Sequence, residues 1–378
     1  MASIDLFLDG VGLSNGNVVQ LLIRVDSITG DGVLIQRLID AETNQQITQQ
    51  QFPEGEIPDG AGPSFILPFG DGGYGVLLAA GLGAGPTPEF QAFDSTGQPV
   101  GGRIQVGFLD DGGTVPVTGI VSVLRAEDGT ASVLTQTTVT DPADPDAEQQ
   151  TFNQLRTFNL DGTISEPIIS TSQVPVGDGL ALADGTFVIF APEPGFGRPS
   201  IIANLFDASF QPIGTSETVT RISGSEVPPN FAITVVKEAI LPGTGRTVVV
   251  WSQFPANGEV ADAAIFFGFG RDTGTNQRLS QVTRLAPTEI VSDNFEVLAL
   301  PDGTFVLGWT QNLSSGTPDP LVGAQVVWQQ FNAQGVPLGP VMDVPTPGPS
   351  EIGVSLELLG TTLLVSTSFF TDLAQSGT

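Results

Sequence analysis

Short apolar runs separated by glycine-containing turns make up most of the chain. Asp-Gly lies between two such runs in LALADGTFVIF at 180–190 and again in LALPDGTFVLGW at 298–309. Asp-Gly or Asn-Gly between apolar runs predicts a β-hairpin, because these residues tolerate a positive φ. The run after the turn is almost wholly apolar, which is typical of a strand buried on both faces.

This hairpin recurs along the whole chain at a nearly fixed period. Successive copies are 56 to 60 residues apart, and a fixed period of this size indicates a repeat architecture. The glycines that mark the copies are Gly16, Gly72, Gly129, Gly185, Gly245, Gly303 and Gly360.

A second hairpin follows the first in every period except the last. It consists of an apolar strand that ends in Asp or Asn, a turn, and a strand with polar edges, as in QAFDSTGQPVG. One period therefore contains four antiparallel strands, which is the composition of a propeller blade. The copies of the second hairpin are at 91–101, 156–164, 204–214, 268–276 and 330–339, with a degenerate first copy at 37–47.

These repeats predict an all-β fold with a single domain over residues 1–378. The expected architecture is a seven-bladed β-propeller of four-stranded antiparallel blades, and six or eight blades are the alternatives. A sandwich or a solenoid fits four strands per period less well. The last copy begins at Gly360, too near the end for its second hairpin. We therefore expect residues 4–10, IDLFLDG, to supply an outer strand to the last blade and to close the ring.

Charge narrows the classes of partner. The chain has 41 acidic and 12 basic residues, and its net charge is −29. Such a surface repels nucleic acid and anionic lipid, so no nucleic-acid partner is expected. No stretch approaches the length of a membrane span. Residues 1–12 lack the features of a signal peptide, so we expect export without a cleaved N-terminal signal.

The chain has no cysteine and no histidine, which excludes several kinds of metal and catalytic site. Disulfides, zinc sites of the usual type, thiol nucleophiles and the common catalytic triads are excluded. We assign no catalytic and no cofactor-binding residue, and we predict that the protein is not an enzyme. A pair of carboxylates acting on a carbohydrate is the catalytic hypothesis that stays open.

Two segments carry a resemblance. LADGTFV at 182–188 and FDSTGQPVG at 93–101 resemble repeats of large secreted bacterial proteins, particularly calcium-associated type I secretion substrates and adhesin-like proteins. The resemblance implies an extracellular or cell-surface location and a role for calcium. The G-G-x-G-x-D calcium nonapeptide of those proteins does not occur in this chain.

The candidate metal site is an acidic loop. DPADPDAE at 141–148 concentrates four carboxylates, and calcium takes six to eight oxygen ligands. A solvated acidic loop held by its prolines is the alternative. LDDGG at 109–113 is either a second calcium-binding segment or a plain turn. The candidate calcium ligands are Asp141, Asp144, Asp146 and Glu148, with Asp110 and Asp111 as a second set.

Propeller geometry places the long loops on one face, and binding sites usually lie on such loops. The loops include 81–89, 139–150, 191–200, 254–263 and 312–320. The leading hypothesis is a non-enzymatic extracellular binding or adhesion module that recognises a glycan or a protein surface. The alternative is a structural subunit of a surface layer, filament or other assembly that self-associates through calcium bridges. Trp251 and Trp309 occupy equivalent repeat positions, which predicts core residues rather than sugar-stacking residues.

Overall fold

The computed structural model describes twenty-six β-strands in two compact units. One unit comprises Met1–Val176, Phe206–Ile213 and Leu358–Thr362, and the other comprises Gly177–Leu205, Gly214–Glu357 and Leu363–Thr378. The described residues are 3–26, 32–40, 42–43, 45–52, 65–78, 88–106, 117–126, 130–139, 150–170, 174, 179–192, 200–214, 217–221, 231–255, 264–271, 279–285, 290–312, 324–344, 351–359 and 362–369. Within these ranges no helix is long and apolar enough to cross a membrane.

The first unit contains three successive groups of four antiparallel strands. The first group is β1 (Ser3–Gly12), β2 (Asn17–Asp26), β3 (Gly32–Asp40) and β4 (Gln45–Gln51). The second is β5 (Phe65–Pro68), β6 (Tyr74–Leu78), β7 (Glu89–Phe93) and β8 (Pro99–Gln105). The third is β9 (Val117–Ala126), β10 (Ala131–Val139), β11 (Gln150–Phe158) and β12 (Ile168–Ser170).

The second unit contains three further groups of four strands and a final pair. The groups are β13 (Gly179–Ala181), β14 (Phe187–Pro192), β15 (Ser200–Phe206) and β16 (Glu217–Arg221); β17 (Phe231–Leu241), β18 (Arg246–Pro255), β19 (Ala264–Arg271) and β20 (Ser280–Arg284); and β21 (Ile290–Ala299), β22 (Phe305–Asn312), β23 (Ala324–Phe331) and β24 (Met342–Asp343). The pair is β25 (Glu351–Leu359) and β26 (Thr362–Phe369). Residue 206 of β15 and residues 358, 359 and 362 of the pair belong to the first unit.

Turn chemistry explains the hairpins between the first and second strands of a group. Gly185 joins β13 to β14 with φ 79°, and Gly303 joins β21 to β22 with the same φ. The amide of each donates to the carbonyl of the residue three positions earlier, at 2.9 Å. A side chain disfavours this left-handed conformation, which is why glycine recurs here. Gly129 and Gly360, which mark two further copies, lie outside the described residues.

The cores lie between successive groups of strands within each unit. In the second unit, Val248 and Val250 of β18 pack in one cluster with Leu307 and Trp309 of β22. Alternate residues of β18 face the other way, so Trp251 packs with Phe190 of β14 in a second cluster. A second strand with apolar residues on both faces is therefore buried on both faces, as its sequence predicts.

The predicted ring of seven like blades is wrong, and so are its six- and eight-bladed alternatives. The described strands form four four-stranded antiparallel sheets of the propeller-blade type (β1–β4, β5–β8, β17–β20 and β21–β24), one eight-stranded sheet (β9–β16) and one two-stranded sheet (β25–β26). The all-β class, the propeller-type fold and the four-stranded antiparallel blade are confirmed. Hairpin signals identify which consecutive strands pair, but they do not mark where a sheet ends.

The predicted closure by the N-terminal strand is wrong as well. Residues 4–10 belong to β1, which pairs antiparallel with β2 from Ser3 opposite Asp26 to Gly12 opposite Val18. β1 is therefore the first strand of the first sheet rather than an outer strand of the last. The run SIDLFLDGVG is one ten-residue strand, and residues 4–10 are an internal part of it rather than a separate closing segment.

Candidate functional site

The predicted calcium ligands fall where the structure gives no description. Asp110, Asp111, Asp141, Asp144, Asp146 and Glu148 lie outside the described residues, as does most of every long loop named above. Calcium binding therefore stays a prediction. Within the described ranges, no group of three or more acidic side chains is placed to hold a metal ion.

Aspartates of the repeat turns serve as local hydrogen-bond acceptors. Asp302 Oδ1 accepts from Thr304 N at 3.0 Å and from Thr304 Oγ1 at 2.6 Å. Asp94 and Asp161 accept in the same way from Thr96 and Thr163. These bonds, led by the one from the threonine hydroxyl, lower the pKa of all three carboxyl groups. These acids therefore serve as hydrogen-bond acceptors that hold the turns.

The aromatic residues that a sugar site would use are mostly in the core. Trp251 and Trp309 are buried, which confirms the prediction from their recurrence. Tyr74 is also buried, and its hydroxyl accepts from the side chain of Gln36. Trp328 on β23 is half-buried. Stacking on sugar rings by these three buried side chains is therefore excluded in this conformation.

The fourth strands of the groups expose apolar side chains. We use "fourth strands" for β4, β8, β12, β16, β20 and β24, each of which ends its sheet. The exposed large hydrophobic side chains of the described residues all lie on these strands or in the segments that lead into them. They are Ile47, Val100, Ile104, Ile169, Ile213, Val282, Val336, Leu338, Val341 and Met342.

The fourth strands also differ from the whole chain in charge. Their charged residues are three arginines (Arg103, Arg221, Arg284) and two acids (Glu217, Asp343), so their sum is 3 − 2 = +1, whereas the chain carries −29. β4, with the sequence QQITQQQ, has no charge at all. The acidic residues are thus concentrated elsewhere in the chain. The low number of acidic residues in these segments was visible in the sequence. The alternation of apolar and polar residues in a short strand does not by itself show that its apolar side chains are exposed.

Bulges interrupt the first strands at one repeated place. The register between β9 and β10 shifts beside Thr135, and the register between β17 and β18 shifts around Trp251. The shift between β21 and β22 lies beside Trp309. All three residues are the sixth after a turn glycine. A bulge that recurs at one repeat position is a feature of the fold, and bulges often lie next to functional sites.

Buried polar groups accompany these bulges. Trp251 Nε1, Gln253 Nε2, Trp309 Nε1 and Thr310 Oγ1 are buried and have no hydrogen-bond partner among the residues that the structure describes. A buried polar group left without a partner costs about 1–3 kcal/mol. The recurrence of the tryptophans predicted their place in the core, whereas Gln253 and Thr310 were not predicted. The available signal was a polar residue directly after the apolar run, in WSQ and WTQ.

An ion pair lies on the neighbouring first strands. Lys237 of β17, the one lysine of the chain, approaches Glu296 of β21 with Nζ and Oε2 2.5 Å apart. Lys237 is opposite Val250 and Glu296 is opposite Gly308, so each lies just beyond a bulge. Both side chains are about one-third exposed. The pair links two sheets of the second unit at this end of their first strands.

Comparison with known proteins finds distant likenesses in structure and none in sequence. Neither a protein-family model nor a curated protein sequence matches the chain. A protein of unknown function from Dyadobacter fermentans is similar in structure, with a TM-score of 0.49 and 12% identity over 98% of this chain and 91% of that one. The β-propeller domain of the Trilobed protease from Pyrococcus furiosus, which has an open velcro topology, gives 0.47 and 9% over 98% and 91%. Polysaccharide lyase Uly1 gives 0.48 and 9% over 93% and 84%.

All three TM-scores are below 0.5, so these likenesses carry no argument about activity. They include an enzyme, a domain of a protease and a protein of unknown function. They therefore do not distinguish an enzyme from a binding module.

Proposed function

We propose that the protein is a non-enzymatic structural and binding module of the cell exterior that associates with further copies of itself through its fourth strands. One observation supports this proposal above others, namely the apolar side chains that the fourth strands expose. Val100 and Ile104, four residues apart on β8, are 54% and 45% exposed. Exposed apolar side chains that lie near one another favour burial against a partner.

Charge favours the fourth strands as the place where two copies meet. Two molecules that each carry −29 repel one another over most of their surfaces. The fourth strands together carry +1, so contact between fourth strands is the arrangement that brings the fewest acids together. Repulsion elsewhere then favours this contact over others, because misaligned encounters bring acids face to face.

Side chains, rather than a continuous backbone ladder, are expected to form this contact. The register of β4 shifts at Ile47, and the registers of β8, β16 and β20 are also irregular. Bulges at edge strands disrupt the row of free amides and carbonyls that would pair with another strand. The module would thus form discrete contacts and resist unlimited edge-to-edge growth.

Light scattering tests the proposal. We expect the mass to rise above the monomer value of 39.2 kDa with increasing protein concentration. The double variant Val100→Lys and Ile104→Lys should shift this rise to at least tenfold higher concentration, because each lysine places a charge in an apolar contact. A control with lysines at the exposed turn residues Ala183 and Pro301 should associate like the unmodified protein. A monomer at all concentrations would exclude self-association.

Calcium distinguishes the two forms of assembly. The same measurement in millimolar calcium and in chelator should give equal masses if fourth strands form the contact. Association that requires calcium would point instead to bridges between acidic loops. A monomer in both conditions would favour the adhesion hypothesis, in which a glycan or another protein is the partner, and a glycan array is then the next measurement.

The carbohydrate-active enzyme stays as the third hypothesis. Glycosidases use two carboxylates about 5 to 9 Å apart, and the chain has 41 acids to draw on. The turn aspartates described above are engaged with their threonines. Release of reducing ends or of unsaturated products from a panel of acidic and neutral polysaccharides would establish an enzyme and overturn the non-enzymatic proposal.

A further inference from the structure

Two repeats of the second unit share an arrangement of buried donors. Trp251 and Trp309 are 0% and 1% exposed, and each is the sixth residue after its turn glycine. Gln253 is 1% exposed and lies two residues beyond Trp251 on the same face of β18, because β18 pairs regularly with β19 over this stretch. Trp251 Nε1, Gln253 Nε2 and Trp309 Nε1 have no partner within the described parts of the chain.

The bulges lie beside these residues in the strand pairing. On β17, two residues lie opposite Ser252 alone, between the pairs Ile233–Gln253 and Val236–Trp251. On β21, four residues lie opposite Thr310 alone, between the pairs Ile290–Gln311 and Phe295–Trp309. A bulge breaks the ladder locally and turns backbone groups out of register. Each bulge therefore adjoins buried donors and strand backbone that is out of its regular pairing.

The chemistry of the donors defines the ligand. An indole N–H only donates, and the side-chain amide nitrogen of Gln253 also donates, so the complementary group is an oxygen acceptor. An anion is disfavoured because the chain carries −29 and because Lys237, the nearby cation, is paired with Glu296. An uncharged hydroxyl oxygen accepts these bonds without bringing a charge into a buried region.

We propose that the bulged ends of β17 and β21 each form a site for an uncharged hydroxyl oxygen, held by the indole N–H of Trp251 together with Gln253 in one repeat and by the indole N–H of Trp309 in the next. Water and a sugar hydroxyl supply the same acceptor chemistry. Water of this kind is an integral part of a fold when it bonds to otherwise unpaired buried groups. The sites lie on first and second strands, so they are independent of the proposed association through fourth strands.

Indole resonances test the proposal directly, since the chain has only three tryptophans. The full-length protein is labelled with ¹⁵N-tryptophan, and the variants Trp251→Phe and Trp309→Phe assign the signals. We expect the Trp251 and Trp309 indole protons to show cross-relaxation with long-lived bound water or with a bound sugar. The probes are water alone and then glucose, xylose and maltose at increasing concentration.

Each outcome is decisive. Water cross-peaks that persist at all sugar concentrations identify water as the occupant. Loss of these peaks, with saturable shifts of the same indole signals, identifies a sugar hydroxyl. If neither indole proton shows contact with water or any sugar, the proposal is overturned and the donors are unpaired.

A matched pair of variants tests the role of the glutamine. Gln253→Met keeps the size of the side chain but removes its donor, so it should shift the Trp251 signal and weaken its water contact while leaving Trp309 unchanged. Gln329→Met is the control, because Gln329 is on β23 and donates to the Gly339 carbonyl at 2.8 Å. Equal effects of the two variants on Trp251 would contradict a shared site. Both variants preserve volume, and circular dichroism is used to check that each one folds.

Discussion

Single residues fix the turns of this fold through a small set of hydrogen bonds. Asp94 Oδ1 accepts from Thr96 Oγ1 at 2.7 Å and from the amides of Thr96 and Gln98 at 2.9 and 3.0 Å. Asn332 takes the same role in its turn with Gln334 and Val336. Asp and Asn favour turns because their short side chains bond to the backbone two residues further on. The recurring acids of the repeats are thus explained by turn structure.

The lowered pKa values of these aspartates predict a dependence of stability on pH. The pKa of Asp94, Asp161 and Asp302 is lower in the folded chain than in the unfolded chain, where it is about 3.9. Their contribution is therefore complete above the unfolded pKa and is lost as pH falls through the folded pKa. The triple variant to alanine should be less stable than the unmodified protein at pH 7, and the difference should shrink towards pH 2.

Urea unfolding at a series of pH values measures this effect. Asp343→Ala, which removes an exposed aspartate from β24, is the control and should change the midpoint little at any pH. If the difference in free energy of unfolding between the triple variant and the unmodified protein instead stays constant down to pH 2, the charge on these carboxyl groups does not stabilise the turns.

Gly75 shows how closely one sheet packs on itself. A Cβ added there would lie 2.0 Å from Cε2 of Phe90, and Phe90 is buried in the core of the first unit. Gly75→Ala should destabilise the protein by about 1–3 kcal/mol, because the ring must move within a packed core. Gly102→Ala on β8 is the matched control, because nothing lies within 4 Å of its added Cβ. Equal urea midpoints for the two variants would contradict this packing.

At the scale of elements, polar bonds tie successive sheets together about one repeat apart. Asp9 of β1 accepts the amide of Ile66 on β5 at 2.7 Å, and 57 residues separate the two. Lys237 and Glu296 link β17 to β21 across 59 residues. Asp9, Lys237 and Glu296 each lie at or just beyond the bulge of their strand. The same place in the repeat thus carries a bulge and a link to the next sheet.

Removing the Asp9 link tests its contribution. Asp9→Ala should lower the free energy of unfolding by about 1–3 kcal/mol, because the amide of the fully buried Ile66 loses its acceptor. Asp9→Asn keeps one carbonyl oxygen and should lose less than half as much. Thermal and urea unfolding measure both, and an Asp9→Asn variant as unstable as Asp9→Ala would show that the negative charge, rather than the acceptor, is required.

Sequence predicted the local elements well and their assembly poorly. The hairpins at Gly185 and Gly303 follow from turn chemistry and adjacent apolar runs, which are short-range signals. The extent of β1, the bulges opposite Ser252 and Thr310, and the eight-stranded sheet depend on pairing between strands and are not encoded in the period. The exposure of the fourth strands and the burial of the donors were not predicted either. Both depend on which strands lie next to one another.

At the scale of the whole molecule, the excess of acidic over basic residues produces a general electrostatic repulsion. A net charge of −29 favours expansion, and salt screens this repulsion over a distance of about 10 Å at 0.1 M. The thermal midpoint should therefore rise between 10 mM and 0.5 M NaCl at pH 7. Near the isoelectric point of about 4.1 the same change in salt should have little effect. A midpoint that falls with salt at pH 7 would mean that ion pairs outweigh the general repulsion.

The placement of the aromatic residues gives each unit its own optical label. Trp251, Trp309 and Trp328 all belong to the second unit, whereas the one tyrosine, Tyr74, is buried in the first. Tryptophan emission therefore follows the melting of one unit, and tyrosine emission follows the other. If the unfolding transitions seen by tryptophan and tyrosine emission coincide, the chain unfolds as a single cooperative unit. If they occur at different temperatures, they give the order in which the two units unfold.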